Sequence, residues 1–221
     1  MRTLRCTAIV FDLDGVLVDS SAVVERHWRR WAAEHGIDVE SIFSISTGKR
    51  NLEVMSEIAP HLDAVREAAA MDAAEALDLV GLHRFPGSQN ILSALPKHRW
   101  AIATSGSRDT ATARLKAVGL PIPRILITAD DVQNGKPHPE PYKRAAEGLG
   151  ISPDECIVIE DAPSGIESAS SAGMTVIGVA TSLPMDALRA AHTVVPSLKH
   201  VNVNIKPHPI HEEVIEIELL D

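Results

Sequence analysis

Short apolar runs recur along this chain, with stretches of helical period between them. TAIVFD (7–12), RWAIAT (99–104), RILIT (124–128), CIVIE (156–160) and TVIGVA (175–180) are rich in branched residues and apolar at successive positions. A strand that is apolar on both faces suits a parallel sheet covered on both sides. Between the runs lie RDTATARLKAVG, which ends at Gly119, and PYKRAAEGLG, which ends at Gly150. Glycine closing a helical stretch is a stop signal. The alternation predicts an α/β fold whose core is a Rossmann-like parallel sheet with right-handed crossovers.

One interval breaks the rhythm. From Val18 to about Phe85 the pattern is helical throughout. Ser20–Ser21 is positioned to cap a helix that carries Val24, Trp28, Trp31 and Ala32 on one face and stops at Gly36. NLEVMSEIA and DAVREAAAMDAAEALDLVG continue the helical pattern. Trp28 and Trp31 read as core residues, not as stacking platforms. The expected organisation is an α/β core made of residues 1–17 and 86–221, with a small helical cap, residues 18–85, inserted after the first strand. The tail, VNVNIKPHPIHEEVIEIELLD, alternates by twos in two pieces, which suggests a terminal hairpin. No internal repeat or low-complexity segment is visible.

Composition narrows the function classes. At 221 residues and 45% hydrophobic content, the chain can bury one full core plus a small insertion. No stretch approaches 18 unbroken apolar residues, so no membrane span is expected. MRTLRCTAIVFD runs straight into the first strand, without the pattern of a secretory leader. Cys6 and Cys156 sit inside apolar runs and read as reduced core thiols. A soluble, cytoplasmic, monomeric protein is expected. The net charge of -9, with no long basic run, argues against nucleic acid as a partner. It also means that an anionic ligand would need positive charge supplied locally, by a metal or by a few placed lysines and arginines.

The polar residues fall at the ends of the strands. Asp12 follows the first run, Thr104–Ser105–Gly106–Ser107 the second, Lys136 lies beyond the third, and Glu160–Asp161 close the CIVI strand. An open α/β sheet binds ligands beyond the carboxyl ends of its strands, so this topology gathers all four groups over one crevice. Their chemistry is complementary: carboxylates for a hard cation, and hydroxyl, backbone and ammonium donors for an anion. Within IVFDLDGVLVDS, Asp12 and Asp14 bring two carboxylates to the end of a buried strand. Repulsion and desolvation both oppose that placement, so the pair implies a cation or a reaction.

FDLDGVLVDS, ATSGS, GKPHPEPY and IEDAPSGIESASSAGM resemble the four ordered motifs of the haloacid-dehalogenase-like phosphatases, and the resemblance covers nearly the whole chain. WAIATSGSRD, ITADDVQNGKPHPEPY and EDAPSG are similar in more detail to the family's sugar-phosphate, 2-deoxyglucose-6-phosphate and glycerol-phosphate phosphatases. VERHWRRWAAEHG and the GK of STGKR are similar to small bacterial sugar phosphatases. The resemblance implies a Mg²⁺-dependent hydrolase of a small sugar or polyol phosphate. Asp12 is then the nucleophile that forms an aspartyl-phosphate, and Asp14 the general acid and base. Asp12, the Asp14 carbonyl, Asp161 and Glu160 (directly or through water) would hold Mg²⁺. Ser105, the Gly106 backbone and Lys136 would hold the phosphoryl oxygens. Lys49 and Arg50 are the cap residues implied to face substrate, although Thr47 stands where related enzymes often carry His. Dehalogenases and phosphonate hydrolases resemble the chain less, because their first motif lacks the second aspartate. A β-phosphoglucomutase-like mutase and a non-catalytic regulator that kept the pocket are the alternatives. His200, His208 and His211 lack a metal-binding spacing and read as surface.

Overall fold

The computed structural model describes residues 2–208 and 212–220. Strand β1 (Arg2–Cys6) and strand β2 (Ala8–Phe11) are separated by Thr7 alone, yet they join different sheets. Their burial explains the break: β1 is largely exposed apart from Cys6, whereas β2 is buried at every position. The apolar run that the sequence presents as one strand is therefore two.

Strand β3 (Val18–Asp19) leads into α1 (Ser21–His35), α2 (Val39–Ser46), α3 (Asn51–Ile58) and α4 (Ala64–Leu77), and β4 (His83–Arg84) brings the chain back. β3 and β4 pair antiparallel, Val18 with Arg84 and Asp19 with His83, so the helical segment leaves and returns through one narrow stalk. Two-residue strands are too short to show a period, and only helix was expected here. The four helices enclose their own core around Trp28, Trp31, Ile42, Val54, Met55 and Met71. Trp28 and Trp31 meet edge to face with centroids 5.6 Å apart, and the Trp31 indole N–H donates to Glu67. Both are core residues, as expected.

The remainder runs through α5 (Ser88–Ala94), β5 (Trp100–Ala103), α6 (Arg108–Ala117), β6 (Leu126–Ile127), α7 (Glu140–Leu149), β7 (Cys156–Glu160), α8 (Pro163–Ser171), β8 (Thr175–Val179) and β9 (Thr193–Val195). The main sheet is parallel throughout, in the order β6-β5-β2-β7-β8-β9. β9 was not anticipated, because three residues between turns carry little pattern. Side chains of β2 alternate between two cores. Ile9 and Phe11 pack with Trp100, Ile102 and Ile157 on one face, while Ala8 and Val10 pack with Tyr142, Val158 and Ile166 on the other. Each large apolar side chain buried this way contributes about 1.5–3 kcal/mol, which fixes β2 at the centre of the sheet.

The expected tail hairpin is present: β10 (Val201–His208) and β11 (Glu212–Leu219) pair antiparallel, and β11 also pairs with β1. His200 accompanies Ser197 in a short turn. The side chain of His208 and the whole of His211 lie outside the described residues. No helix among the described residues is long and apolar enough to cross a membrane.

Candidate active site

The strand order reverses between β2 and β7, and the crevice of an open sheet lies at such a point. Phe11 pairs with Ile159, and the Asp12 N–H donates to the Ile159 carbonyl at 3.0 Å. This register sets Asp12 beside Glu160 and Asp161. Carboxylate oxygens of the three lie within 4.8 Å of one another, all buried. Lys136 enters from the loop before α7, is followed by a cis Lys136–Pro137 peptide, and is only 1% exposed. Its Nζ bridges Asp12 Oδ1 at 2.7 Å and Glu160 Oε1 at 2.8 Å. Tyr142 donates its hydroxyl to the same Glu160 oxygen, and the other accepts the N–H groups of Asp161 and Ala162. Glu160 is thereby locked in place, with its own acceptor capacity largely used.

Three buried carboxylates face one ammonium, so negative charge is left uncompensated. Burial raises the carboxyl of Asp12, Lys136 opposes that, and Glu160 adds to it. Asp161 is pushed well above the ordinary carboxylate range by burial, then by Glu160 and Asp12. Burial works against the charge on Lys136, but Asp12 and Glu160 outweigh it and hold the ammonium charged. Closely set oxygen donors with excess negative charge are what a hard divalent cation requires, so these residues fit one.

Asp14 meets a different environment. Gly15 takes a positive φ of 81°, and any Cβ there would run into the Asp161 carboxylate. The turn this permits carries Asp14 back over the crevice. Ser20, expected to cap α1, instead donates its hydroxyl to Asp14 Oδ1 at 2.7 Å. Arg114 of α6 reaches the same oxygen at 2.8 Å, and its other terminal nitrogen holds Glu75 Oε2 of α4 at 2.6 Å. Arg114 and Glu75 are both buried. Burial raises the Glu75 carboxyl, Arg114 opposes, and Asp14 and Asp72 add to the rise.

The loop between α2 and α3 closes over the crevice. Ser105 donates its hydroxyl to the Gly48 carbonyl at 2.7 Å, and Ser164 donates to the Thr47 carbonyl at 3.1 Å. Gly48 has φ 77°, and a Cβ there would press on Ser164 and Ala162, so only glycine lets this loop come so close. A cavity of about 570 Å³ lies beneath it, lined by Asp12, Asp14, Ser105, Gly106, Lys49 and Asp161 among others. Lys49 also pairs with Glu57 at 3.1 Å. Arg50 does not line the cavity. Its guanidinium pairs with Glu53 and donates to the Val132 and Gln133 carbonyls, tying the loop to the segment before Lys136.

Residues 6–173 match the model of the haloacid dehalogenase-like hydrolase family. The chain belongs to this family. Among relatives of this hydrolase, hexitol phosphatase A of Escherichia coli is 38% identical over 210 residues, covering 93% of this chain and 97% of the relative. Glycerol-1-phosphate phosphohydrolase 1 of Saccharomyces cerevisiae is 33% identical, covering 99% of this chain and 91% of the relative. A solved hydrolase from Pseudomonas syringae superposes with a TM-score of 0.78 at 30% identity, over 87% of this chain and 94% of the other. Within this haloacid dehalogenase-like hydrolase, the motif residues converge as expected, except that Lys136 and Glu160 stand behind Asp12 and not on the cavity wall. Arg114 and Glu75 went unread. Glu75 sits among alanines in α4 and Arg114 between Ala113 and Leu115 in α6, and the packing of α4 on α6 buries both.

Proposed function

We propose that this hydrolase is a Mg²⁺-dependent phosphatase of a small sugar or polyol phosphate monoester. The observation that carries this reading is the pairing of a buried Asp12–Glu160–Asp161 cluster with a separately held Asp14, both opening on one cavity. The α/β core is assigned to residues 1–17 and 86–221, and the cap to residues 18–85. The site residues are assigned as follows. Asp12 attacks phosphorus, the ester bond breaks, and Asp14 gives its proton to the leaving alcohol oxygen. Asp14 then takes a proton from the water that attacks the aspartyl-phosphate, releasing phosphate and restoring Asp12. Ser105 and the Gly106 N–H steady the phosphoryl oxygens through this exchange, while Lys136, behind Asp12, holds that carboxylate in position. Asp12, Asp161 and the Asp14 carbonyl, with Glu160 behind, would hold Mg²⁺, which would supply the positive charge that lets an anionic nucleophile approach an anionic ester.

The names of the hexitol and glycerol-1-phosphate relatives support the substrate class. A mutase would have to hold a second phosphoryl group, and the cavity offers little for it. Arg29 pairs with Glu25, Lys49 with Glu57, and Arg114 with Asp14 and Glu75. The protein is expected to work as a cytoplasmic monomer on free metabolites. A phosphate-release screen over sugar, polyol and nucleotide phosphates, with Mg²⁺ and with excess chelator, tests the proposal. Release from sugar or polyol phosphates that stops with chelator is the expected result. No release from any ester, or full turnover in chelator, overturns it.

A further inference from the structure

Among the described residues two buried polar atoms have no hydrogen-bond partner, Glu75 Oε1 and Arg114 Nε, and both of their residues line the cavity. They belong to one ion pair, and one is an acceptor while the other is a donor. A hydroxyl is the complement of such a pair, since it donates once and accepts as well. Leaving a buried polar group unmade costs roughly 1–3 kcal/mol, so a site that carries two orphans side by side is built for something that fills them. Glu75 is 5% exposed, and its Oε2 is fixed by Arg114 at 2.6 Å.

The position says which hydroxyl. Arg114 spans Asp14 and Glu75 with its two terminal nitrogens. The group that protonates the leaving oxygen and the unpartnered acceptor are therefore one guanidinium apart. That interval suits a substrate hydroxyl one carbon beyond the ester linkage. We propose that Glu75, delivered by cap helix α4 and held by core residue Arg114, is a specificity residue that accepts a hydrogen bond from the hydroxyl vicinal to the phosphoester. This rests on the phosphatase reading and refines it. The preferred substrates are vicinal-diol monophosphates, and esters without that hydroxyl are rejected. Glu25, Glu40 and Asp19 further along the wall are consistent with a neutral leaving group and oppose a second phosphate or a carboxylate.

The test compares two ester pairs that differ by that hydroxyl alone: glycerol 1-phosphate against 1,3-propanediol monophosphate, and a hexitol 6-phosphate against its 5-deoxy counterpart. Acetyl phosphate, which has no alcohol leaving group, serves as the reference. The native protein should favour the hydroxylated member of at least one pair by roughly 10- to 100-fold in kcat/KM, the scale of a hydrogen bond to a charged group. In Glu75→Gln an amide N–H₂ replaces the free acceptor, and the preference should shrink to about threefold or less by loss on the hydroxylated member alone. Glu75→Asp keeps the charge but withdraws the acceptor, and should shrink the preference in the same way if the Gln variant fails to fold. Undiminished preference in a variant that still turns over acetyl phosphate overturns the proposal, as does equal loss on both members. Native protein indifferent to the hydroxyl in both pairs, or active on acetyl phosphate but on neither pair, also overturns it. Native protein inert on every ester, acetyl phosphate included, overturns the phosphatase reading instead.

Discussion

Asp12 and Asp14 stand two residues apart yet meet opposite surroundings: Lys136 with two further carboxylates on the first, Ser20 and Arg114 on the second. Asp12→Asn should abolish turnover, because an amide is a poor nucleophile. Asp14→Asn should lose roughly 10²–10⁴-fold on a polyol phosphate, the usual scale of general acid catalysis. It should still accept phosphate from acetyl phosphate, and mass spectrometry should find the group accumulating on the peptide that contains Asp12. Lys136→Met leaves buried carboxylates unpaired. It should lower the stability of the metal-free protein by about 3–5 kcal/mol in urea unfolding. The carboxylates were legible in the sequence because they end apolar strands, where nothing but chemistry explains a charge. Arg114 and Glu75 were not legible. A lone charged residue inside a helix looks like its solvated face until another helix covers it.

Elements move together here through a few polar ties. Arg50 joins the loop before α3 to the Val132–Gln133 carbonyls, so Arg50→Ala should loosen closure without touching substrate. Sugar and aryl phosphates should lose rate alike, roughly three- to tenfold, as for a partly buried ion pair worth about 1 kcal/mol. Lys49→Ala, at the cavity wall, should instead lose more on the sugar phosphate than on the aryl phosphate. The loop that carries Lys136 is organised from α7. Glu140 accepts the N–H groups of Gln133 and Asn134 and pairs with Arg144, and these bonds hold its carboxyl down at about 2. A carboxyl depressed below its ordinary 4.5 stabilises the fold above that pH, and the contribution fades as pH falls toward 2. The gap in melting temperature between native protein and Glu140→Gln should therefore be full above pH 4.5 and close on acidification. The parallel order, the helical insertion and the tail hairpin were all readable from period. β3, β4 and β9 were not, since two or three residues hold no period, and Ser20 does stand at the N-cap of α1 but turns its hydroxyl to Asp14 instead of to the helix.

At the scale of the whole molecule, the metal site proposed at the switch point would make stability depend on Mg²⁺. A cation bound only by the folded state at a hundred times its Kd adds about 2.7 kcal/mol, or roughly 5–10 °C for a chain of this size. Mg²⁺ should raise the melting temperature by that order, and Asp161→Asn should lose most of the shift while remaining folded. In the main sheet β2 pairs with the distant β5 and β7, Ile9 with Trp100 and Ala8 with Cys156, and the smaller sheet reaches farther still. Arg5 of β1 pairs with Glu216 of β11, 211 residues away along the chain. Ordering contacts so distant carries the largest loop-closure penalty, and such contacts come late. As the chain emerges from a ribosome, β1 is made before every other described strand, and its sole partner among them is made last. It must wait, an unpaired edge, through the synthesis of almost everything else, and its two arginines and scarcity of apolar side chains keep that exposed interval soluble.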